Sequence, residues 1–178
     1  MKNVPNILTI FRIILIPVFV WAFLGLGSIW LACVIYVVAG GTDLLDGYIA
    51  RKYNATSKLG TVLDPLADKL MQLTVTATLA ISGLAFMWVV FGILLFKEVL
   101  MIAGGAVLLG RKDITVPAVW YGKAYSAVLF VVILIIIIWR DVISVNFEIT
   151  LVAVSVVMGI LAGVGYLIKF KKLLNSEY

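Results

Sequence analysis

Long apolar runs fill most of the chain, and short polar clusters interrupt them at intervals of twenty-odd residues. A helix that crosses a bilayer needs roughly 20 apolar residues. Six such stretches can be drawn: Ile7–Leu26, Ile29–Ala50, Leu63–Ser82, Ala85–Leu109, Val116–Trp139 and Val142–Phe170. Leu26-Gly27-Ser28, Ser82-Gly83 and Arg140-Asp141 mark turns on one side, and Tyr53–Gly60 and Gly110–Thr115 mark them on the other. The pattern predicts an all-α integral membrane protein with six transmembrane helices, a single domain over residues 1–178. A short N-terminal interfacial segment, Met1 to Ile7, is expected to precede the first span. There Asn6 or Thr9 is expected to cap the helix, with Arg12 snorkelling back to the interface as an anchor; a role in the site is the other reading of this segment. The first run has no small-residue cleavage site after it, so no cleavable secretory signal is expected.

Composition sharpens this picture. Of 178 residues, 64% are apolar and 13% are charged, far from the balance of a soluble domain. A water-soluble globule of this size keeps too much surface exposed to hide so many apolar side chains. Lys2, Arg12, Arg51, Lys52, Lys58, Lys69, Arg111, Lys112, Lys123, Lys169, Lys171 and Lys172 fall at one face of the drawn bundle. Arg140 falls opposite, and Lys97 lies inside the fourth span. The positive-inside rule makes the crowded face cytoplasmic, with both termini there. A net charge of +5 against an anionic leaflet suits a phosphate-rich substrate. No nucleic-acid partner is expected, because the basic residues ring a membrane rim rather than line one stripe.

Histidine is absent, which removes histidine-assisted nucleophiles and histidine zinc sites. The single cysteine, Cys33, can form no internal disulfide and reads as packing. Chemistry must therefore run on carboxylates, Lys, Arg, hydroxyls and backbone. Of nine acids, four crowd into 26 residues: Asp43 and Asp46 at the end of the second span, Asp64 and Asp68 at the start of the third. Acidic groups at membrane depth are costly and point to function. Positions 43, 46 and 50 share one helix face, and 60, 64 and 68 share another. Antiparallel neighbours joined by a short loop would bring four carboxylates to one depth. They cannot all stay ionised there without compensation. An all-oxygen donor set selects a hard cation such as magnesium, manganese or calcium. Two such ions would clamp a pyrophosphate and its leaving group. An ion pathway is the competing reading of the acids alone. Gly47, Ala50 and Gly60 remove bulk beside the carboxylates, and Arg51 offers a fork for phosphate.

Taken together the residues read Asp43-x2-Asp46-Gly47-x2-Ala50-Arg51-x8-Gly60-x3-Asp64-x3-Asp68. This resembles the signature of the CDP-alcohol phosphatidyltransferases at every fixed position. Eight fixed residues at fixed spacings arise by chance on the order of once in ten billion starts. The resemblance implies a magnesium-dependent enzyme (manganese being the substitute) with two ions per site, working as a homodimer among membrane lipid. Such an enzyme moves a phosphoalcohol from a CDP-linked donor to a hydroxyl and releases CMP. By that resemblance Asp43, Asp46, Asp64 and Asp68 hold metal, and Asp68 is also the general base. Gly47, Ala50 and Gly60 leave room for cytidine and diphosphate, and Arg51 holds a phosphate.

The opening Val4-Pro5-Asn6-Ile7-Leu8-Thr9-Ile10-Phe11-Arg12 and the run Leu63-Asp64-Pro65-Leu66-Ala67-Asp68-Lys69 are similar to bacterial phosphatidylglycerolphosphate synthases. That implies CDP-diacylglycerol as donor, sn-glycerol 3-phosphate as the small anionic acceptor, and a bacterial cytoplasmic membrane with the site facing the cytoplasm. Those enzymes tend to carry Gly-Lys-x-Lys-Thr where this chain has Gly122-Lys123-Ala124-Tyr125-Ser126, and Arg-Glu where it has Lys97-Glu98. The stretch Lys97-Glu98-Val99-Leu100-Met101-Ile102 is also similar to CDP-alcohol cardiolipin synthases, whose acceptor is phosphatidylglycerol. Lys97 and Glu98 read equally as a structural pair inside the span. Lys123 is the leading candidate for the acceptor's charge, with Arg111 beside it. A carboxylate-lined cation transporter is the alternative from another class, and it leaves Gly47, Ala50, Arg51 and Gly60 without a reason.

Overall fold

A computed structural model describes residues 4–53, 60–109, 120–140 and 142–175. Six α-helices occupy them: α1 Val4–Val20, α2 Ile29–Tyr53, α3 Gly60–Ile81, α4 Met87–Leu109, α5 Trp120–Trp139 and α6 Val145–Asn175. A π-helical turn, Trp21–Gly25, widens the end of α1. No strand occurs among the described residues. Each helix coincides with one of the six apolar runs, shifted by a few residues at its ends. Among the described residues two stretches are long and apolar enough to cross a membrane, Ile7–Gly25 with 19 residues and Val145–Ile168 with 24.

Helix ends follow the glycines. Gly27 sits in the left-handed region (φ 63°), and beyond it the Ser28 N–H donates back to the Ala22 carbonyl at 3.0 Å. Gly83 (φ 110°) closes α3 in a comparable way, with the Leu84 N–H donating to the Leu79 carbonyl at 3.2 Å. Only a residue without Cβ enters such conformations cheaply while satisfying the last carbonyls of a helix.

The chain forms two compact units, Met1–Ala85 with Leu134–Arg140, and Phe86–Ile133 with Asp141–Tyr178. In the first, α1 packs along both α2 and α3, which among the described residues meet each other only briefly. The inward stripe of α1 carries Thr9, Arg12 and Phe19, and the π-helical turn continues it with Ala22 and Phe23, all buried. Phe19 stacks on Phe23 at 5.9 Å and tilts against Tyr36 of α2 at 6.2 Å. Along α3 the buried residues Ala67, Met71, Val75 and Leu79 recur every four positions, the ridge expected of a packed helix. In the second unit α4 packs on α6. A Cβ on Gly159 would stand 2.9 Å from Ile93 and 3.1 Å from Tyr125, so the missing side chain is what lets α6 approach so closely.

The expected interfacial start is corrected at two points. Helix α1 already begins at Val4, so Asn6 and Thr9 lie inside it and cannot be its N-cap. Arg12 does not snorkel: it is 1% exposed, and its Nε donates to the Ala39 carbonyl of α2 at 3.3 Å. A neighbouring helix offers the guanidinium a carbonyl partner, so the side chain turns inward between helices instead of reaching along α1 to the interface.

At the far end of α3, Arg140 closes the first unit. Its guanidinium donates to the Ser82 carbonyl at 2.6 Å and to Ser82 Oγ at 3.0 Å, and lies 5.8 Å from the Phe23 ring centre. A cation over the last carbonyls of a helix satisfies acceptors that the helix leaves open and meets its negative dipole end. Replacing Arg140→Gln is expected to cost about 1.5–3 kcal/mol, the usual worth of hydrogen bonds from a charged donor. Denaturation of the purified variant in detergent checks this.

Candidate functional site

The eight signature residues fall on two consecutive helices, α2 and α3. Helix α2 continues unbroken through positions 43, 46, 47, 50 and 51 to Tyr53, and α3 opens on Gly60 and carries Asp64 and Asp68. The side chains of Asp43, Asp46, Ala50 and Arg51, and the surroundings of Gly47 and Gly60, lie outside the described residues. So does all of Arg111, and the side chain of Lys123 on α5. Asp64 and Asp68 are therefore the site residues whose surroundings can be described.

Both stand on one face of α3, a single turn apart, and both are half-buried. The Thr9 hydroxyl of α1 donates to Asp64 Oδ1. Asp68 is held from its own helix: Gln72 Nε2 donates to Oδ1 at 3.2 Å and to Oδ2 at 3.4 Å. Lys69 Nζ lies 3.2 Å from Asp68 Oδ2, at side-chain exposures of 19% and 31%. Neutral donors thus contact each carboxylate, and one half-buried cation adds to the second. Among the described residues no three acidic or sulfur side chains gather into a metal-binding group. Two of the four expected ligands, Asp43 and Asp46, are outside that set.

Helix α1 adds a wall to this region, as the second reading of its opening residues allowed, through partners that the sequence did not name. Thr9 and Arg12 share a face of α1 by their i, i+3 spacing. Thr9 reaches α3 at Asp64, and Arg12 reaches α2 at Ala39, one turn before Asp43. The Ala39 carbonyl also accepts from the Thr42 hydroxyl at 2.7 Å. Gln72 was missed by sequence reasoning. Its signal in the sequence was an amide inside the apolar run Met71-Gln72-Leu73, four residues after an essential-looking acid.

In the second unit Lys97 and Glu98 form a buried pair, Nζ to Oε1 2.8 Å, with side-chain exposures of 4% and 8%. The ammonium lies 5.2 Å from the centre of the Tyr125 ring, within reach of a cation–π contact. The structure thus favours the paired reading of Lys97 and Glu98. It also places Tyr125, the residue standing where a second lysine was looked for, fully buried under that pair.

The family model for CDP-alcohol phosphatidyltransferase matches residues 2–161. The chain belongs to that family. A CDP-diacylglycerol–glycerol-3-phosphate 3-phosphatidyltransferase of Haemophilus influenzae is 54% identical over 71 residues, 39% of this chain and 38% of that protein. One of the same name from Rickettsia typhi is 48% identical over 81 residues, 44% of this chain and 46% of that protein. A putative cardiolipin synthase of Mycobacterium bovis is 36% identical over 123 residues, 68% of this chain and 58% of that protein. The chain thus spans about half the length of the curated relatives it matches, between 38% and 58%.

Thr9→Val keeps the volume of a fully buried residue and removes its donor to Asp64. Water can reach the half-buried carboxylate, so the expected loss is about 1.5 kcal/mol, the low end for a bond to a charged acceptor. Chemical denaturation in micelles measures it, and an unchanged midpoint would show that the bond contributes nothing.

Proposed function

We propose that this protein crosses a bacterial cytoplasmic membrane six times, as one domain, and transfers the phosphatidyl group of CDP-diacylglycerol to sn-glycerol 3-phosphate. The products are phosphatidylglycerol phosphate and CMP. The observation that carries the reading is the complete eight-residue signature, on the last turns of α2 and the first turns of α3, within a chain that belongs to this family. The membrane reading is supported by an inverted distribution of polarity. Trp30, Phe96, Ile102, Leu161 and Val142 are among the most exposed side chains, and Arg12, Gln72, Thr76, Lys97 and Glu98 are buried. Apolar outer faces of that extent need lipid or a partner against them. Both termini and the site are placed on the cytoplasmic side by the positive-inside rule, and a second copy is the expected partner.

The donor set fits a hard divalent cation: oxygen ligands only, with Asp64 and Asp68 one helical turn apart and each still partly open. Asp43, Asp46, Asp64 and Asp68 would hold two magnesium ions, with manganese as substitute, and the ions would neutralise the diphosphate. Arg51 holds a phosphate of the donor, while Gly47, Ala50 and Gly60 leave space for cytidine and diphosphate. Lys123 and Arg111 meet the phosphate of the acceptor. Asp68 takes the proton of the acceptor hydroxyl as its oxygen bonds to the lipid-side phosphorus. The bond from that phosphorus to CMP breaks, and CMP leaves with the electron pair. A positioned carboxylate base removes the need for a covalent nucleophile, in keeping with a chain without histidine.

Cardiolipin synthesis is the second reading. It is favoured by the wider match to the mycobacterial relative and by Lys97 being engaged with Glu98 and Tyr125. Purified protein in detergent with CDP-diacylglycerol and magnesium is expected to release CMP with glycerol 3-phosphate, and to stop when a chelator is added. A preference for phosphatidylglycerol would move the assignment to cardiolipin synthesis. No release with any acceptor from folded protein would return the cation-transporter reading. Asp68→Asn should lower turnover at least a hundredfold, in the range for losing a general base. Near-normal turnover would remove Asp68 from that role.

A further inference from the structure

Gln72 contributes nothing to the family signature, yet its side chain is well buried and donates to Asp68. It stands one turn after Asp68 on the same face of α3, 5% exposed, while the Asp68 side chain is 31% exposed. Its Nε2 spans both carboxylate oxygens, at 3.2 and 3.4 Å. An ionised carboxylate only accepts, so the amide must turn its nitrogen toward Asp68 and its oxygen away. That oxygen, Oε1, is buried with no hydrogen-bond partner among the described residues.

This arrangement costs stability. A buried acceptor without a donor loses about 1–3 kcal/mol of hydration. An apolar side chain of the same length would avoid that loss, and the adjoining inward positions Met71 and Val75 are apolar and buried. An unsatisfied buried group in a native chain calls for a reason, and a cost borne next to a reactive carboxylate is a familiar exchange of stability for function. We infer that Gln72 is a positioning residue: its buried amide fixes the carboxylate plane of Asp68 so that one oxygen stays aimed at the acceptor hydroxyl. The inference rests on the role proposed for Asp68. A neutral donor suits that task, since it orients the carboxylate without cancelling its charge. Lys69, the other contact, is half-buried and less enclosed than Gln72, and its ammonium is a point charge that orients a carboxylate less sharply than a planar amide does.

The test uses the full chain in detergent with Gln72→Met, and Gln72→Leu as a second apolar replacement. Both should lower kcat about tenfold, with KM for CDP-diacylglycerol and for the acceptor within about twofold, in line with losing one orienting hydrogen bond. Their unfolding temperature should equal or exceed that of the unaltered protein, because the stranded oxygen is gone. A purely structural glutamine predicts the opposite pairing, with kcat and unfolding temperature falling together, and that result would overturn the inference. So would an unchanged kcat in an active protein, which leaves the functional reading standing. Absence of CMP release by the unaltered protein with every acceptor would remove both.

Discussion

Burying polar side chains between helices obliges each of them to find a partner, and in this protein α1 is where that obligation is met. It runs between α2 and α3, and its inward face presents Thr9 and Arg12 rather than an unbroken apolar stripe. Thr9 donates across to Asp64 of α3, and Arg12 donates across to the Ala39 carbonyl of α2. A buried donor without an acceptor forfeits its hydration, so these bonds narrow the register in which the three helices can pack. Among the described residues, the two helices bearing the signature each pack more on α1 than on each other. Their relative placement therefore depends on the helix between them.

Helix α3 combines two periodicities with different tasks. Ala67, Met71, Val75 and Leu79 make the packing ridge, while Asp68, Gln72 and Thr76 form a polar row one residue along. Within that row Gln72 donates to Asp68, and its backbone carbonyl accepts from the Thr76 hydroxyl at 2.9 Å. The far end of the same helix is closed by Arg140 on Ser82. The carboxylates thus stand on a helix whose far end is tied by Arg140 and whose Asp64 is met by Thr9 of α1.

The second unit handles its buried charge by another route. Lys97 and Glu98 are consecutive, and consecutive residues on a helix point about 100° apart. Their long side chains nevertheless fold toward each other at 2.8 Å, and the Tyr125 ring lies against the ammonium. Gly159 lets α6 close over Tyr125. A small residue on one helix thereby admits a bulky aromatic on another, as in close packing between apolar helices.

By itself the sequence determined the six helices, because apolar runs of that length between glycine turns have one way to satisfy their backbone. It also determined the spacing of Asp43, Asp46, Gly47, Ala50, Arg51, Gly60, Asp64 and Asp68, and with it the family, since fixed intervals on a helix translate directly into chemistry on a face. The partners of the buried polar residues were decided only by tertiary structure. Thr9 read as a cap and Arg12 as an interfacial anchor, because near the start of an apolar run both residue types have those local solutions. Gln72 read as nothing in particular until Asp68 was seen against its amide. Sequence states which groups must be satisfied; which neighbour satisfies them depends on how helices far apart in the chain cross, and no local pattern encodes that.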